Sequence, residues 1–146
     1  MSEIVNIEEL IPHRGRLKLV DEVFEDSEGR VWARSVTTPK WPLCDAQGKI
    51  DVIVLIEFAA QASAVIAGYE KRKDGEPGVS GMLVGIRRAV FHIPELDCGV
   101  VLTAACRKLR SHENYFAYEG KVYSDGRLIA EVEIQALETP GGGIPS

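Results

Sequence analysis

Residues 51–70 read DVIVLIEFAAQASAVIAGYE, and this stretch decides the fold. Apolar residues fill nearly every position from 52 to 68, which is typical of a helix that is buried on most of its faces. Asp51 is a favoured N-cap residue, and Gly68 predicts the end of the helix. The stretch is shorter than the ~20 residues that span a bilayer, and it carries polar residues. We therefore expect the central helix of a globular domain and no membrane span.

The segments before this helix predict two strands and a loop. Residues 16–38, RLKLVDEVFEDSEGRVWARSVTT, are typical of two strands joined by a Ser-Glu-Gly turn at 27–29. Residues 39–50, PKWPLCDAQGKI, contain two prolines and a glycine, so we expect an irregular loop that leads into the helix. After the helix, residues 70–78 predict a charged, exposed connection.

The second half of the chain predicts at least four strands. Residues 81–93 and 100–110 are strand-like, and residues 114–138 predict a hairpin around Asp125-Gly126, a residue pair favoured in tight turns. In the second arm of this hairpin, apolar residues alternate with mostly polar ones, as in a strand with one buried face.

This order of elements predicts an α+β fold in which an antiparallel sheet packs around one long central helix. We expect a single domain over residues 1–138 and a disordered tail over residues 139–146, TPGGGIPS. A sheet with one helix often completes its burial by dimerising, so a homodimer or a higher oligomer is expected.

Composition makes several classes of function less favoured. The chain has 146 residues and a net charge of −5, which does not favour nucleic-acid binding. The first residues lack the pattern of a signal peptide, so we expect a cytoplasmic protein. Cys44, Cys98 and Cys106 are widely spaced and form no recognisable metal-ligand pattern, so three reduced thiols are expected and no metal.

Glu57 is an ionisable residue within this apolar run, and its presence there needs an explanation. Burying an ionised carboxylate costs several kcal/mol unless the group is paired or its pKa shifts. One explanation is an ion pair with an arginine, such as Arg87 or Arg88. The other is a functional role, with Gln61 on the same helix face at i+4, where it can orient the carboxyl.

Four segments resemble the β-hydroxyacyl–acyl-carrier-protein dehydratases, in that family's order. They are ELIPHRGRLKLVDEV (9–23), IEFAAQ (56–61), LVGIRRAVFHIPELDCG (83–99) and GKVYSDGRLIAEVEIQAL (120–137). The resemblance implies the hotdog fold, an antiparallel sheet wrapped around a central helix. It also implies a 3-hydroxyacyl thioester dehydratase, a lyase of fatty-acid or related acyl-chain synthesis that needs no cofactor.

The resemblance assigns roles to particular residues. Glu57 matches the family's helix glutamate, which acts at the hydroxyl end of the substrate, and an apolar setting would raise its pKa so that it acts as an acid. Gln61 follows it in the motif. Gly85 matches the glycine whose backbone N–H binds the thioester carbonyl, since a residue without a Cβ permits close approach.

The family's base is a histidine in the loop before the helix, followed by Phe-Pro, and this loop contains no histidine. Lys40-Trp41-Pro42 matches that place and puts Lys40 at the histidine position. A lysine serves as a base only when desolvation lowers its pKa steeply. Asp45, Cys44 and His13 are the other candidates. The missing histidine leaves two alternatives open: a non-catalytic acyl-thioester-binding subunit that acts with a His-bearing partner in a heterodimer, and a hotdog thioesterase.

The expected partner is an acyl-carrier-protein or coenzyme A thioester. Because acyl carrier proteins are acidic, a basic rim would steer them. The substrate-binding candidates beyond Gly85 are Lys40 and Arg88, and the rim candidates are Arg14, Arg16, Arg87, Arg88 and the run 107–110. A solvated charged face is the alternative reading of that run.

Overall fold

The computed structural model describes residue 7 and residues 18–75 and 79–140, with backbone alone for 79–84 and 138–140. One helix and eight strands follow one another along these residues. The elements are β1 (Glu22–Glu25), β2 (Val31–Val36), β3 (Lys49–Ile50), α1 (Val54–Lys73), β4 (Val79–Phe91), β5 (Leu96–Asp97), β6 (Val101–His112), β7 (Tyr115–Ser124) and β8 (Arg127–Pro140).

Six of the strands form one antiparallel sheet in the order β1-β2-β6-β7-β8-β4, and β3 pairs with β5 in a separate two-stranded ribbon. The predicted α+β fold is therefore confirmed. The predicted turns also form: residues 27–29 connect β1 to β2, and Asp125 and Gly126 connect β7 to β8 with φ angles of 51° and 74°. Two successive positive φ angles are what the tightest hairpin turns require.

The bounds of the helix differ from those predicted. Asp51 lies two residues before the N-cap, Ile53, and its carboxylate accepts the backbone N–H of Ile53 at 3.0 Å, so it caps the turn that leads into α1. Gly68 lies inside the helix, which runs on to Lys73. Buried packing of Tyr69 and three basic residues in the last turn stabilise this extension, since cations favour a helix C-terminus.

A close approach of strand to helix sets how α1 lies on the sheet. Gly120 of β7 faces α1, and a Cβ placed there would lie 3.3 Å from the Cβ of Ala59 and 3.6 Å from the hydroxyl of Ser63. The glycine therefore lets the helix backbone approach the sheet closely. Phe58, Leu55 and Val65 of the helix are fully buried in the core that results.

The loop predicted over 39–50 is more ordered than expected, because its last two residues form β3. At the other end of the chain, β8 continues to Pro140. Residues 141–146 lie outside the described residues, so the disorder of the tail stays a prediction, as does the single-domain boundary at residue 138.

Candidate functional site

Glu57 and Gln61 lie one turn apart near the start of α1 and are hydrogen-bonded to each other. The side-chain amide of Gln61 donates to the Glu57 carboxylate at 3.0 Å, and its oxygen accepts the backbone N–H of Leu19 at 2.8 Å. Gln61 is 1% exposed, so both contacts are held in place by packing. The amide thus ties the carboxyl to the chain just before β1.

Glu57 itself is half-buried, and it lies on a side of α1 that the described part of the chain covers only in part. Ile53, one turn earlier, is 52% exposed, and Ala60 and Ala64, which continue the same side, are half-buried and exposed. The helix is therefore buried on most of its faces, as predicted, and is less covered on one side. We call the side formed by residues 53, 57, 60 and 64 the open face of α1.

The loop before the helix is anchored beside this glutamate. Trp41 is 6% exposed and its ring lies 5.9 Å from the ring of Phe58, the residue after Glu57. Lys40, immediately before this anchor, is exposed, and its backbone N–H donates to the Thr38 hydroxyl at 3.1 Å. The desolvation that a lysine base requires is therefore lacking in the chain by itself.

Two other base candidates have structural contacts. The Asp45 carboxylate accepts two backbone N–H groups, from Gln47 and Lys49, each at 2.9 Å, and so closes a tight turn in the loop. The sulfur of Cys44 lies 3.6 Å from that of Cys98. His13 lies outside the described residues, so its role stays a prediction.

Gly85 lies where the pairing of β4 with β8 is interrupted. Leu83 pairs with Ala136 and Gly85 with Gln135, so β4 carries one extra residue between them. A bulge of this kind takes the extra residue out of the ladder and bends the strand. This is a suitable place for a backbone N–H that binds a ligand, and Gly85 is half-buried there.

The arginines of β4 do not lie toward Glu57. Arg87 pairs with Glu133 at 3.3 Å, and Glu133 is on the outer face of the sheet, turned away from α1. Arg88 is exposed next to it. Arg87 thus forms its ion pair on the side of the sheet away from α1, and a pairing of Glu57 with another arginine stays a prediction.

The basic run at residues 107–110 is also neutralised in part. Arg107 pairs with Glu119 at 3.1 Å and Arg110 with Glu133 at 3.4 Å, while Lys108 lies over the ring of Phe116. The two arginines and their glutamates thus alternate across this part of the outer face, whereas Lys108, opposite Tyr118, lies on the face toward α1. Paired charges of this kind fit a solvated surface better than a docking site for an acidic protein. Arg14 and Arg16 lie outside the described residues.

Thr37 was missed by sequence reasoning, although it orders the loop. It is 1% exposed, and its hydroxyl donates to the Asp97 carbonyl at 2.7 Å and accepts the Val100 N–H at 3.0 Å. Nothing in the local sequence distinguishes it from Thr38, because its partners lie 60 residues away. Gly120 had a detectable signal: an isolated glycine inside a strand pattern indicates close backbone approach.

Comparison with known proteins assigns the chain to a family. Residues 5–141 match the family described as ApeP-like, ApeP dehydratase. The chain belongs to the ApeP-like dehydratases. It is also 30% identical over 151 aligned positions to the 3-hydroxyacyl-[acyl-carrier-protein] dehydratase FabZ of Syntrophotalea carbinolica, with 94% of this chain and 95% of that protein covered. The predicted dehydratase relationship is therefore confirmed.

Solved structures confirm the hotdog fold of these ApeP-like dehydratases. The dehydratase heterocomplex ApeI:P from Xenorhabdus doucetiae contains a chain with a TM-score of 0.79 and 21% identity, covering 94% of this chain and 93% of that one. A hypothetical thioesterase from Streptococcus pneumoniae, solved with coenzyme A, has a TM-score of 0.60 and 12% identity, covering 82% and 86%. At these identities the likeness establishes the fold alone.

The described part of the chain contains neither a membrane-spanning helix nor a cluster of metal ligands. No helix there is long and apolar enough to cross a membrane. No group of three or more histidine, cysteine, aspartate or glutamate side chains is placed there to bind a metal ion.

Proposed function

We propose that this chain is the Glu57-bearing subunit of a dehydratase that removes water from 3-hydroxyacyl thioesters carried on an acyl carrier protein or coenzyme A. The observation that carries the proposal is the Glu57 carboxyl, held by Gln61 at 3.0 Å on the open face of α1. A carboxyl that is positioned by a buried amide and still reachable from outside the helix suits proton transfer to a bound substrate.

The reaction needs three groups at one place. A base removes the proton next to the thioester carbonyl, an acid protonates the departing hydroxyl, and N–H donors stabilise the negative charge that develops on the thioester oxygen. Glu57 takes the role of the acid, and the backbone N–H at Gly85, beside the bulge in β4, takes that of the donor. Gln61 is a positioning residue, because it acts through Glu57.

The base comes from a second subunit. The loop before α1 has no histidine, Lys40 is exposed, and the described part of the chain covers the open face of α1 beside Glu57 only in part. The name of the ApeI:P heterocomplex supports this reading, since a chain of similar fold is part of a two-component dehydratase. A homodimer in which Lys40 of one copy is desolvated against the other is the competing assembly. The cytoplasm remains the expected location.

A second candidate function is that of a non-catalytic subunit that binds the acyl thioester and leaves the chemistry to a His-bearing partner. The lack of a histidine between residues 39 and 50 favours it. The two candidates differ in one respect: only the first requires the Glu57 carboxyl for turnover.

The experiment compares Glu57→Gln with Glu70→Gln, which alters a carboxylate at the exposed end of the same helix. Each purified protein is assayed with 3-hydroxyacyl and trans-2-enoyl thioesters of both carriers, first alone and then mixed with a His-bearing dehydratase subunit. We expect Glu57→Gln to lower turnover by about 10²- to 10⁴-fold, the usual contribution of a general acid, and Glu70→Gln to leave it unchanged.

The outcomes separate the candidates. Activity that depends on mixing and on Glu57 supports the proposal, whereas activity on mixing that survives Glu57→Gln supports the non-catalytic subunit. Release of free thiol from an acyl thioester would identify a thioesterase and overturn both. Activity of the chain alone would assign the base to this chain and direct mutagenesis to Lys40.

A further inference from the structure

Two cysteines that the proposed site does not use lie in contact. The sulfur atoms of Cys44 and Cys98 are 3.6 Å apart, although 54 residues separate them in sequence. Both thiols are unlinked and half-buried, packed against the edge of the core. Sulfur atoms of two thiols at this distance touch, and a disulfide would bring them to about 2.05 Å.

Backbone interactions of both cysteines hold their sulfur atoms in contact. Cys44 forms a β-bridge with Ile50, across the turn that the Asp45 carboxylate closes. The backbone N–H of Cys98 donates to the carbonyl of Gly48 in the same turn at 3.2 Å. Both cysteines are thus hydrogen-bonded to one short turn, which holds the two sulfurs together.

This contact completes a joint between two segments of the chain, the loop 37–50 and the stretch 96–100. Other links in the joint include the pairing of β3 with β5, the Lys49–Asp97 ion pair, and hydrogen bonds made by the hydroxyl and the backbone of Thr37. All of these are non-covalent. The loop also carries Trp41, which packs on Phe58 next to Glu57, so the joint determines how the loop enters the helix.

We propose that Cys44 and Cys98 are a reversible redox pair whose disulfide locks the loop 37–50 onto the stretch 96–100. The oxidant is a small-molecule disulfide, RSSR. One cysteine thiolate attacks RSSR and forms a mixed disulfide while one RS⁻ leaves. The second thiolate then attacks the protein sulfur of that mixed disulfide and expels the second RS⁻. The two protons lost by the cysteines end on two molecules of RSH, and the chain is oxidised by two electrons.

The surroundings of the pair indicate the order of attack. Partial burial, followed by the neighbouring Cys44 thiol, raises the pKa of Cys98, and the carboxylates of Asp97 and Asp45 add to this. Because the thiolate is the nucleophile, Cys98 is slow to react with an external disulfide. Cys98, already in contact with Cys44, is therefore placed to resolve a mixed disulfide formed on Cys44.

The test uses the full chain, reduced and then equilibrated with mixtures of oxidised and reduced glutathione before acid trapping. Free thiols should fall from three to one per chain, with a mass loss of about 2 Da and a crosslinked peptide joining Cys44 to Cys98. The disulfide should raise Tm by about 5–10 °C, and reduction should reverse the change. None of these measurements needs a substrate, so the result is independent of the proposed function.

Three variants make the outcome specific. Cys44→Ser and Cys98→Ser should each abolish the loss of mass and the rise in Tm, whereas Cys106→Ala should retain both. If three thiols persist in the wild-type chain under excess oxidised glutathione, or if Cys44 stops at the mixed disulfide with glutathione, the two sulfurs do not meet and the proposal is wrong. Pairing of Cys106 with either of the other cysteines would also overturn it.

Discussion

Replacing Gln61 with leucine removes two hydrogen bonds from one buried side chain while preserving most of its volume. The backbone N–H of Leu19, now donating to Gln61 at 2.8 Å in a buried setting, would have no acceptor from this side chain. A buried donor left unsatisfied costs about 1–3 kcal/mol. Loss of the 3.0 Å bond to Glu57 adds about 0.5–1 kcal/mol, because that carboxyl is half-exposed and regains water.

Leucine offsets part of this loss of stability, because burying an apolar side chain is more favourable than burying an amide by about 1 kcal/mol. The net loss is about 2 kcal/mol in the free energy of unfolding. For a domain of 146 residues this corresponds to a fall in Tm of about 6 °C. Urea unfolding followed by circular dichroism gives the free energy, and a thermal scan gives Tm.

Ser63→Ala is the matched control on the same helix. Ser63 is 5% exposed, and within the described part of the chain its hydroxyl makes no hydrogen bond of good geometry, although it interacts with the Cys106 thiol and lowers the pKa of that group. Removing it should therefore leave stability unchanged or raise it by up to about 1 kcal/mol. If the Gln61→Leu protein is as stable as wild type, or if Ser63→Ala loses as much, then the Gln61 bridge does not hold the start of β1 to the helix.

The environments of two further groups carry predictions. Burial, reinforced by the nearby Glu70 carboxylate, raises the pKa of Cys106 from 9.0 to about 12. At pH 8 the thiolate fraction of Cys106 is therefore about a thousand-fold smaller than that of an ordinary thiol. We expect N-ethylmaleimide to label Cys106 last of the three cysteines, because the thiolate is the reactive form. Early labelling of Cys106 in peptide maps would contradict this. The hydrogen bond from His92, at 2.9 Å, lowers the pKa of Glu131 below its usual 4.5. A carboxyl with a depressed pKa in the folded state adds stability above pH 4.5, and that stability is lost as pH falls. His92→Ala should therefore lose less stability than wild type between pH 5 and pH 3 in urea unfolding; parallel losses would show that the pair is not coupled to folding.

Much of the fold could be predicted because its signals are local. The apolar run over 52–68, the Asp125-Gly126 turn and the alternation along β8 each specify an element from neighbouring residues, and the structure confirms all three. The predicted bounds of the helix were wrong at both ends. Asp51 and Gly68 have the composition of caps, but buried packing of Tyr69 extends the helix, and packing outweighs propensity near a boundary.

The candidate site also has one part that local sequence predicts and another part that it does not. Glu57 and Gln61 meet because residues four apart share a helix face, which the spacing alone requires. The bond from Gln61 to Leu19, the place of Arg87 beside Glu133, and the exposure of Lys40 depend on how the sheet folds onto the helix, so local sequence could not predict them.

The sequence by itself determined the helix, the strands and the adjacency of Glu57 to Gln61. Each of these depends on the spacing of residues along the backbone, with a period of 3.6 residues in a helix and 2 in a strand. Only the tertiary structure decided that one face of α1 stays open beside Glu57, and that Cys44 touches Cys98. Those outcomes depend on pairings between segments about 50 residues apart, where the geometry of the sheet, and not the order of neighbouring residues, sets which groups meet.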